Sequence, residues 1–204
     1  MKKSKKNIAV LISGSGTNLQ AIINQIRADK LKCNLAVVIS NKQDAYGLVR
    51  AKKAGIPAHF IDHRGLERKE HEKKIVKILE KHKIDLVVLA GYMRILSSYF
   101  VKKYKGKLIN IHPALLPSFA GTDGYGDTWK YGSKVGGLTV HFVDEGVDTG
   151  PIIIQKTNPI KETDTLESFK KRGLKIEHQA LPEAIKLFIE GKLKIVGRKV
   201  KIKN

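Results

Sequence analysis

The sequence predicts an α/β fold built on a doubly wound, mostly parallel sheet, and three observations lead to it. Strand-like and helix-like segments alternate through the first ~110 residues, the pattern of a sheet wound in both directions. The strand-like runs are short, apolar and rich in β-branched residues, as strands covered on both faces are. The first of them passes through a glycine loop into an amphipathic helix, the opening of a βαβ unit.

Asn7–Ile12 (NIAVLI) has no helical period and reads as a buried parallel strand. SGSGTN (Ser13–Asn18) follows, then LQAIINQI with apolar residues at helical spacing. Leu35–Ser40 is the second strand, and Tyr46–Ala54 a helix closed by Gly55. Ala58–Ile61 is the third strand, and Glu70–Lys81 a charged helix with Ile75, Ile78 and Leu79 on its inner face. Asp85–Ala90 is the most apolar strand and reads as central. Ser97 caps a short helix reaching about Tyr104. Leu108–Ile111 is the next strand, and a glycine-rich, irregular segment, Gly121–Gly137, holds the lone Trp129. Leu138–Val143 and Ile152–Lys156 are two more strands. Thr165–Ile189 is a long helical pattern, interrupted near Gly173 and ended by Gly191; Lys192–Ile202 alternates weakly, as a terminal ribbon would.

A chain of 204 residues suits one domain with a sizeable core. No stretch approaches the ~18 apolar residues of a membrane-spanning helix. The apolar run behind the basic MKKSKK is only Ile8–Ile12, too short for a signal peptide. A single cysteine, Cys33, rules out an internal disulfide and fits a reducing cytoplasm. Lys and Arg number 39 against 19 Asp and Glu, in scattered runs such as Lys2–Lys6, Arg64–Lys74 and Lys192–Lys203. Such an excess suits nucleic acid or, equally, a solvated surface that attracts small anionic substrates. With no aromatics interleaving the lysine runs, the second reading is preferred and nucleic acid is not expected as a partner. No sequence feature sets an oligomeric state.

The chemistry-bearing residues all follow expected strands, where ligands of such sheets bind. SGSGTN can cradle a phosphate on backbone amides at a helix N-terminus, or be a tight turn capped by Thr17 or Asn18. It lacks the third glycine of a dinucleotide fingerprint and the Gly-Lys-Ser/Thr of a P-loop. In GYMRIL (Gly91–Leu96), Arg94 holds a carboxylate or stands in solvent; Met93, Ile95 and Leu96 line an apolar slot or, the reading spacing favours, belong to the core. In NIHP, Asn110 and His112 are two apart and face one side of an extended chain. An amide that binds an oxyanion beside an imidazole that moves protons suits acyl or formyl transfer. HFVDEGVDTGP adds Asp148 between Gly146 and Gly150, and a carboxylate near His112 would favour the imidazolium. His141 in mid-strand reads as core or as a support to the site. His112, His141 and Asp148 could also ligate a metal, but no HxH or HExxH spacing favours it.

VLISGSGTNLQAII, the SNK at Ser40–Lys42, AGYMRIL, NIHPALLPSF and GLTVHFVDEGVDTGPII, in this order over about Ile8–Leu193, resemble the phosphoribosylglycinamide formyltransferases of de novo purine synthesis. The resemblance implies a Rossmann-like, three-layer fold with a mostly parallel sheet of seven strands. It implies one domain over 1–204, with a phosphate-binding half at about 7–105, a folate and catalytic half at about 106–191 and a basic tail at 192–204. It implies formyl transfer from 10-formyltetrahydrofolate, a co-substrate, to the amine of 5-phosphoribosylglycinamide, without a metal. Asn110, His112 and Asp148 match the catalytic trio; Gly16, Thr17 and Asn18 the phosphate loop; Glu177 an acid on the ribose. Arg68, Met93, Arg94, Ile95, Leu96, Asn110, Val143 and Asp144 match the folate site.

The chain departs from that family after the catalytic strand. PSFAGTDGYGDTW stands where members commonly have PSFPGxHA, so Asp123 occupies a histidine position that helps orient the catalytic acid, and Asp123 near Asp148 would add negative charge there. Leu174 stands where a lysine or glutamine is common, with Lys175 as the neighbouring basic residue. A water-accepting formyltetrahydrofolate deformylase shares the centre but carries an extra N-terminal domain. A tRNA formyltransferase needs a C-terminal domain that does not fit after Gly191. A basic RNA-binding module leaves Asn110, His112 and Asp148 unexplained.

Overall fold

The structure, a computed structural model, describes residues 5–203; Lys2 and Lys3 of the N-terminal basic run and Asn204 of the tail lie outside them. The chain divides into two compact units, one up to Ile109 and one from Asn110 onward.

The first unit holds β1 (Asn7–Ile12), α1 (Thr17–Arg27), β2 (Asn34–Ser40), α2 (Tyr46–Lys53), β3 (Ala58–Phe60), α3 (Arg68–Lys81), β4 (Leu86–Leu89) and α4 (Ser98–Lys103). Its strands lie in the order β3–β2–β1–β4 and all are parallel. The order reverses between β1 and β4, the point at which such sheets open a crevice. Two of the loops that follow these strands meet there: the Ser13 amide donates to the Gly91 carbonyl at 3.0 Å, and the Met93 amide to Ser13 Oγ at 2.8 Å. Residues Ile8–Ile12 of β1 have no exposed surface, which is why this strand shows no alternation. Two buried or half-buried carboxylates pin the edges of the unit. Asp85 accepts from the Asn7 amide at 2.8 Å, and buried Glu72 accepts from both the amide and the hydroxyl of Ser97, the N-cap of α4. Burial pushes the Cys33 thiol up to about 12, so it stays a neutral filler.

β5 (Leu108–His112) carries the chain from the first unit into the second. The second unit adds α5 (Gly124–Lys130), β6 (Val135–Phe142), β7 (Ile152–Pro159), α6 (Leu166–Ile189), β8 (Leu193–Val196) and β9 (Lys199–Ile202). Its strand order is β5–β6–β7–β9–β8, with β6–β7 and β8–β9 antiparallel. The described residues thus form nine strands, not the seven that the family resemblance implies; the extra pair is the terminal hairpin that the alternation of Lys192–Ile202 predicts.

Two further expectations are corrected. The segment read as irregular contains α5, whose glycines conceal it: Asp123 caps it by accepting from the Gly126 amide at 3.1 Å, and Tyr125 and Trp129 pack on Phe169. Gly173 does not interrupt α6, which runs unbroken from a Thr165–Ser168 capping box. A Cβ on Gly173 would lie 2.2 Å from the Tyr125 hydroxyl, so the glycine admits a side chain rather than a bend.

His71 on α3 is fully buried; its Nε2–H donates to the Ile61 carbonyl at 3.0 Å, and its Nδ1 meets no partner among the described residues. Burial, reinforced by the Arg94 charge and only partly offset by the Ile61 bond, holds it below its ordinary 6.5. The unfolded chain therefore takes up a proton that the folded chain refuses, and this contribution is complete above pH 6.5 and declines below it. The thermal midpoint falls as the pH drops below 6.5, and His71→Phe removes that part of the fall; scanning calorimetry across pH measures both.

Candidate active site

β5 delivers Asn110 and His112 from one face, as their spacing predicts, and both meet Asp148. Asp148 sits in the β6–β7 connection with φ +54°, a left-handed conformation that Asp tolerates because its short polar side chain bonds locally. Gly150 makes that loop possible: a Cβ there would lie 1.8 Å from the Phe142 carbonyl oxygen. The Asp148 side chain is only 11% exposed.

Its two oxygens have separate partners. Oδ1 accepts from Asn110 Nδ2 at 3.3 Å and faces His141 Nε2 at 3.5 Å. Oδ2 accepts from the Gly121 amide at 3.0 Å and faces His112 Nδ1 at 3.3 Å. Burial by itself would raise the Asp148 carboxyl. The His141 bond, the Gly121 amide and the charges of the two histidines outweigh it and leave the group below its ordinary 3.8. Both ring orientations are set by carbonyls: His112 Nε2–H donates to Phe119 at 2.7 Å, and His141 Nδ1–H to Phe142 at 2.8 Å. His141 thereby turns its Nε2 toward the Asn110 amide group, at 3.3 Å, and Asp148 Oδ1, at 3.5 Å, and His112 Nδ1 is the nitrogen at which a proton would lie against the carboxylate. An ionised acid, an imidazole and an amide share one cluster, an arrangement chemically able to move a proton beside a donor for an oxygen.

Asp123 is not the partner of Asp148. Its carboxylate caps α5 and pairs with Lys170 at 3.7 Å, while the Gly121 amide and His141 do the orienting. His141, left open between core and support, is both buried and in contact with Asn110 and Asp148; only its place two residues before Val143 in the strand leading to the acid signalled it. Tyr125, whose hydroxyl donates to buried Glu177 at 2.6 Å, carried no sequence signal because it lies in the glycine-rich segment. Lys175 is exposed and, two residues before Glu177, projects from the opposite side of α6.

In the first unit, Gly16 takes φ +70° as N-cap of α1, with Thr17 and Asn18 in the first turn. A Cβ on Gly16 would lie 2.7 Å from Gly47 Cα, so the loop is closed against α2. Met93 and Ile95 are 61% and 60% exposed, which corrects the core reading and leaves them as an apolar surface; Arg94 and Leu96 are half-buried. Arg68 is exposed at the first position of α3. In the second unit, Asp144 accepts from the Thr149 hydroxyl at 2.6 Å and, with Val143, opens the loop of Asp148. Among the described residues no group of three or more His, Cys, Asp or Glu is placed to hold a metal ion.

The formyl transferase family model matches residues 6–185. A phosphoribosylglycinamide formyltransferase of Haemophilus influenzae is 46% identical over 191 residues, covering 93% of this chain and 90% of that protein. The crystal structure of glycinamide ribonucleotide transformylase 1 from Symbiobacterium toebii superposes with a TM-score of 0.95 at 45% identity, covering 98% of this chain and 95% of that one. The trifunctional purine biosynthetic protein adenosine-3 of Gallus gallus is 43% identical over 196 residues, covering 96% of this chain but only 20% of that protein's length. Fold and site thus define an α/β protein with a carboxylate, an imidazole and an amide gathered where the parallel strands end. The chain belongs to the formyl transferase family.

Followed by carbon-13 NMR, the Asp148 carboxyl titrates below 3.8, and His141→Ala moves its midpoint upward because a neighbour that favours the ionised form is gone.

Proposed function

We propose that the chain transfers the formyl group of 10-formyltetrahydrofolate to the amine of 5-phosphoribosylglycinamide, a step of de novo purine synthesis. The observation that carries this reading is the buried Asn110–His112–Asp148 cluster in a formyl transferase chain. The substrate amine attacks the formyl carbon, and the carbonyl oxygen becomes an oxyanion. Asn110 donates to that oxygen, and the His112 Nε2–H that now meets Phe119 turns to it, with Asp148 against Nδ1 stabilising the imidazolium. The proton lost by the amine reaches the folate nitrogen through Asp148 and water, the carbon–nitrogen bond to folate breaks, and tetrahydrofolate leaves. No metal takes part, because the carbon arrives already activated.

The remaining assignments follow the same reading. Gly16, Thr17 and Asn18 bind the phosphate with backbone amides at the α1 N-terminus. Glu177 binds the ribose. Met93, Ile95 and Leu96 supply apolar surface to the folate ring system, Arg68 and Arg94 meet its carboxylates, and Val143 and Asp144 offer backbone. A basic chain suits two anionic substrates, and a neutral buried Cys33 suits the cytoplasm. No described helix is long and apolar enough to cross a membrane.

Purified chain given both substrates releases tetrahydrofolate, and given either alone does not; equal release without the amine would identify a water-accepting deformylase instead. Asp148→Asn, which keeps a residue that tolerates φ +54°, lowers kcat by about 10²–10⁴-fold with the fold retained, as circular dichroism checks.

A further inference from the structure

α5 lies in the segment where the chain departs from its family's pattern, and it does more than fill space. Phe169, Gly173 and Glu177 are spaced i, i+4, i+8 and line one ridge of α6. The Tyr125 ring stands edge-on to Phe169, with centroids 5.4 Å apart, over the notch left by Gly173. Only through that notch does its hydroxyl reach Glu177 Oε1, at 2.6 Å. Glu177 is 5% exposed, so its carboxyl needs a donor, and a bond at one oxygen fixes the plane of the group and the direction of the other. Thr128 and Asp123 hold the helix that carries Tyr125: the Thr128 hydroxyl donates to the Gly124 carbonyl at 2.6 Å, and Asp123 caps the first turn.

We propose that Tyr125 is a positioning residue that aims the Glu177 carboxylate at the ribose hydroxyls of the acceptor. The segment that departs from the family's pattern is then a second support for the acceptor site rather than a loss of it. The proposal rests on the assignment of Glu177 to the ribose. Burial, and the charge and bond of Glu177, push the Tyr125 phenol far up, so it remains a donor throughout the working range.

Steady-state kinetics with phosphoribosylglycinamide and with its 2-deoxyribose analogue test it. Tyr125→Phe keeps the ring in its notch and removes only the hydroxyl. KM for the ribose acceptor rises roughly tenfold, the size of a lost bond to a charged group, while KM for folate and kcat change little. The same variant uses the deoxy analogue about as well as the wild type does, because the contact that Tyr125 aims is already missing. Equal loss on both acceptors, or no loss on either, overturns the proposal. Glu177→Ala separates the two layers: if it too fails to discriminate the acceptors, the ribose assignment falls; if it discriminates and Tyr125→Phe does not, only the role of Tyr125 falls.

Discussion

A buried carboxylate has to be surrounded, and the second unit is arranged around that requirement at Asp148. Removing a charged group from water is strongly unfavourable unless its oxygens are filled, and stripping partners from such a group typically costs about 3–5 kcal/mol. Here four partners come from three places: Asn110 and His112 from β5, His141 from β6 and the Gly121 amide from the loop after β5. The glycine at 150 lets the loop fold back over Phe142, and the left-handed Asp148 turns its side chain inward. Each of these features is modest alone. Together they keep an acid ionised under cover, in contact with an imidazole.

Carbonyl oxygens complete the arrangement. Phe119 and Phe142 each occupy one nitrogen of a histidine and so decide which nitrogen meets the carboxylate. A histidine free to flip would divide its time between two faces; one tied by a carbonyl offers a defined nitrogen. The segment after β5, from Phe119 through α5, thus supplies the Phe119 carbonyl, the Gly121 amide and Tyr125 in quick succession. Its departure from the family pattern changes which atoms do the orienting, not whether orientation is achieved.

Much of this was legible in order along the chain. Strands with no alternation are covered on both sides, and β1 is; a terminal stretch that alternates weakly makes a hairpin, and Lys192–Ile202 does. Asn110 and His112 two residues apart in an extended run share a face because a strand repeats every two residues. Local chemistry misled where a residue served a distant neighbour. Gly173 reads as a helix breaker but is a notch for Tyr125; GYGDTWK reads as loop but is a helix held by a cap and by Phe169. Met93 and Ile95 read as core by their spacing, yet they lie exposed beyond the end of β4.

The amino-acid sequence by itself determined the alternation of strands and helices, the loops that follow the strands and the identity of the Asn, His and Asp that share the site. These depend on periodicity and on short-range geometry, which the order of residues carries directly. Only the tertiary structure decided what orients Asp148, because that is a competition between groups far apart in sequence. Asp123, which stands at the histidine position of the family's pattern, is engaged by its own helix and by Lys170, and a backbone amide and His141 meet the acid instead. Hydrogen bonds are satisfied by whatever donor packing brings within about 3 Å, and packing is not written in any one stretch of the chain.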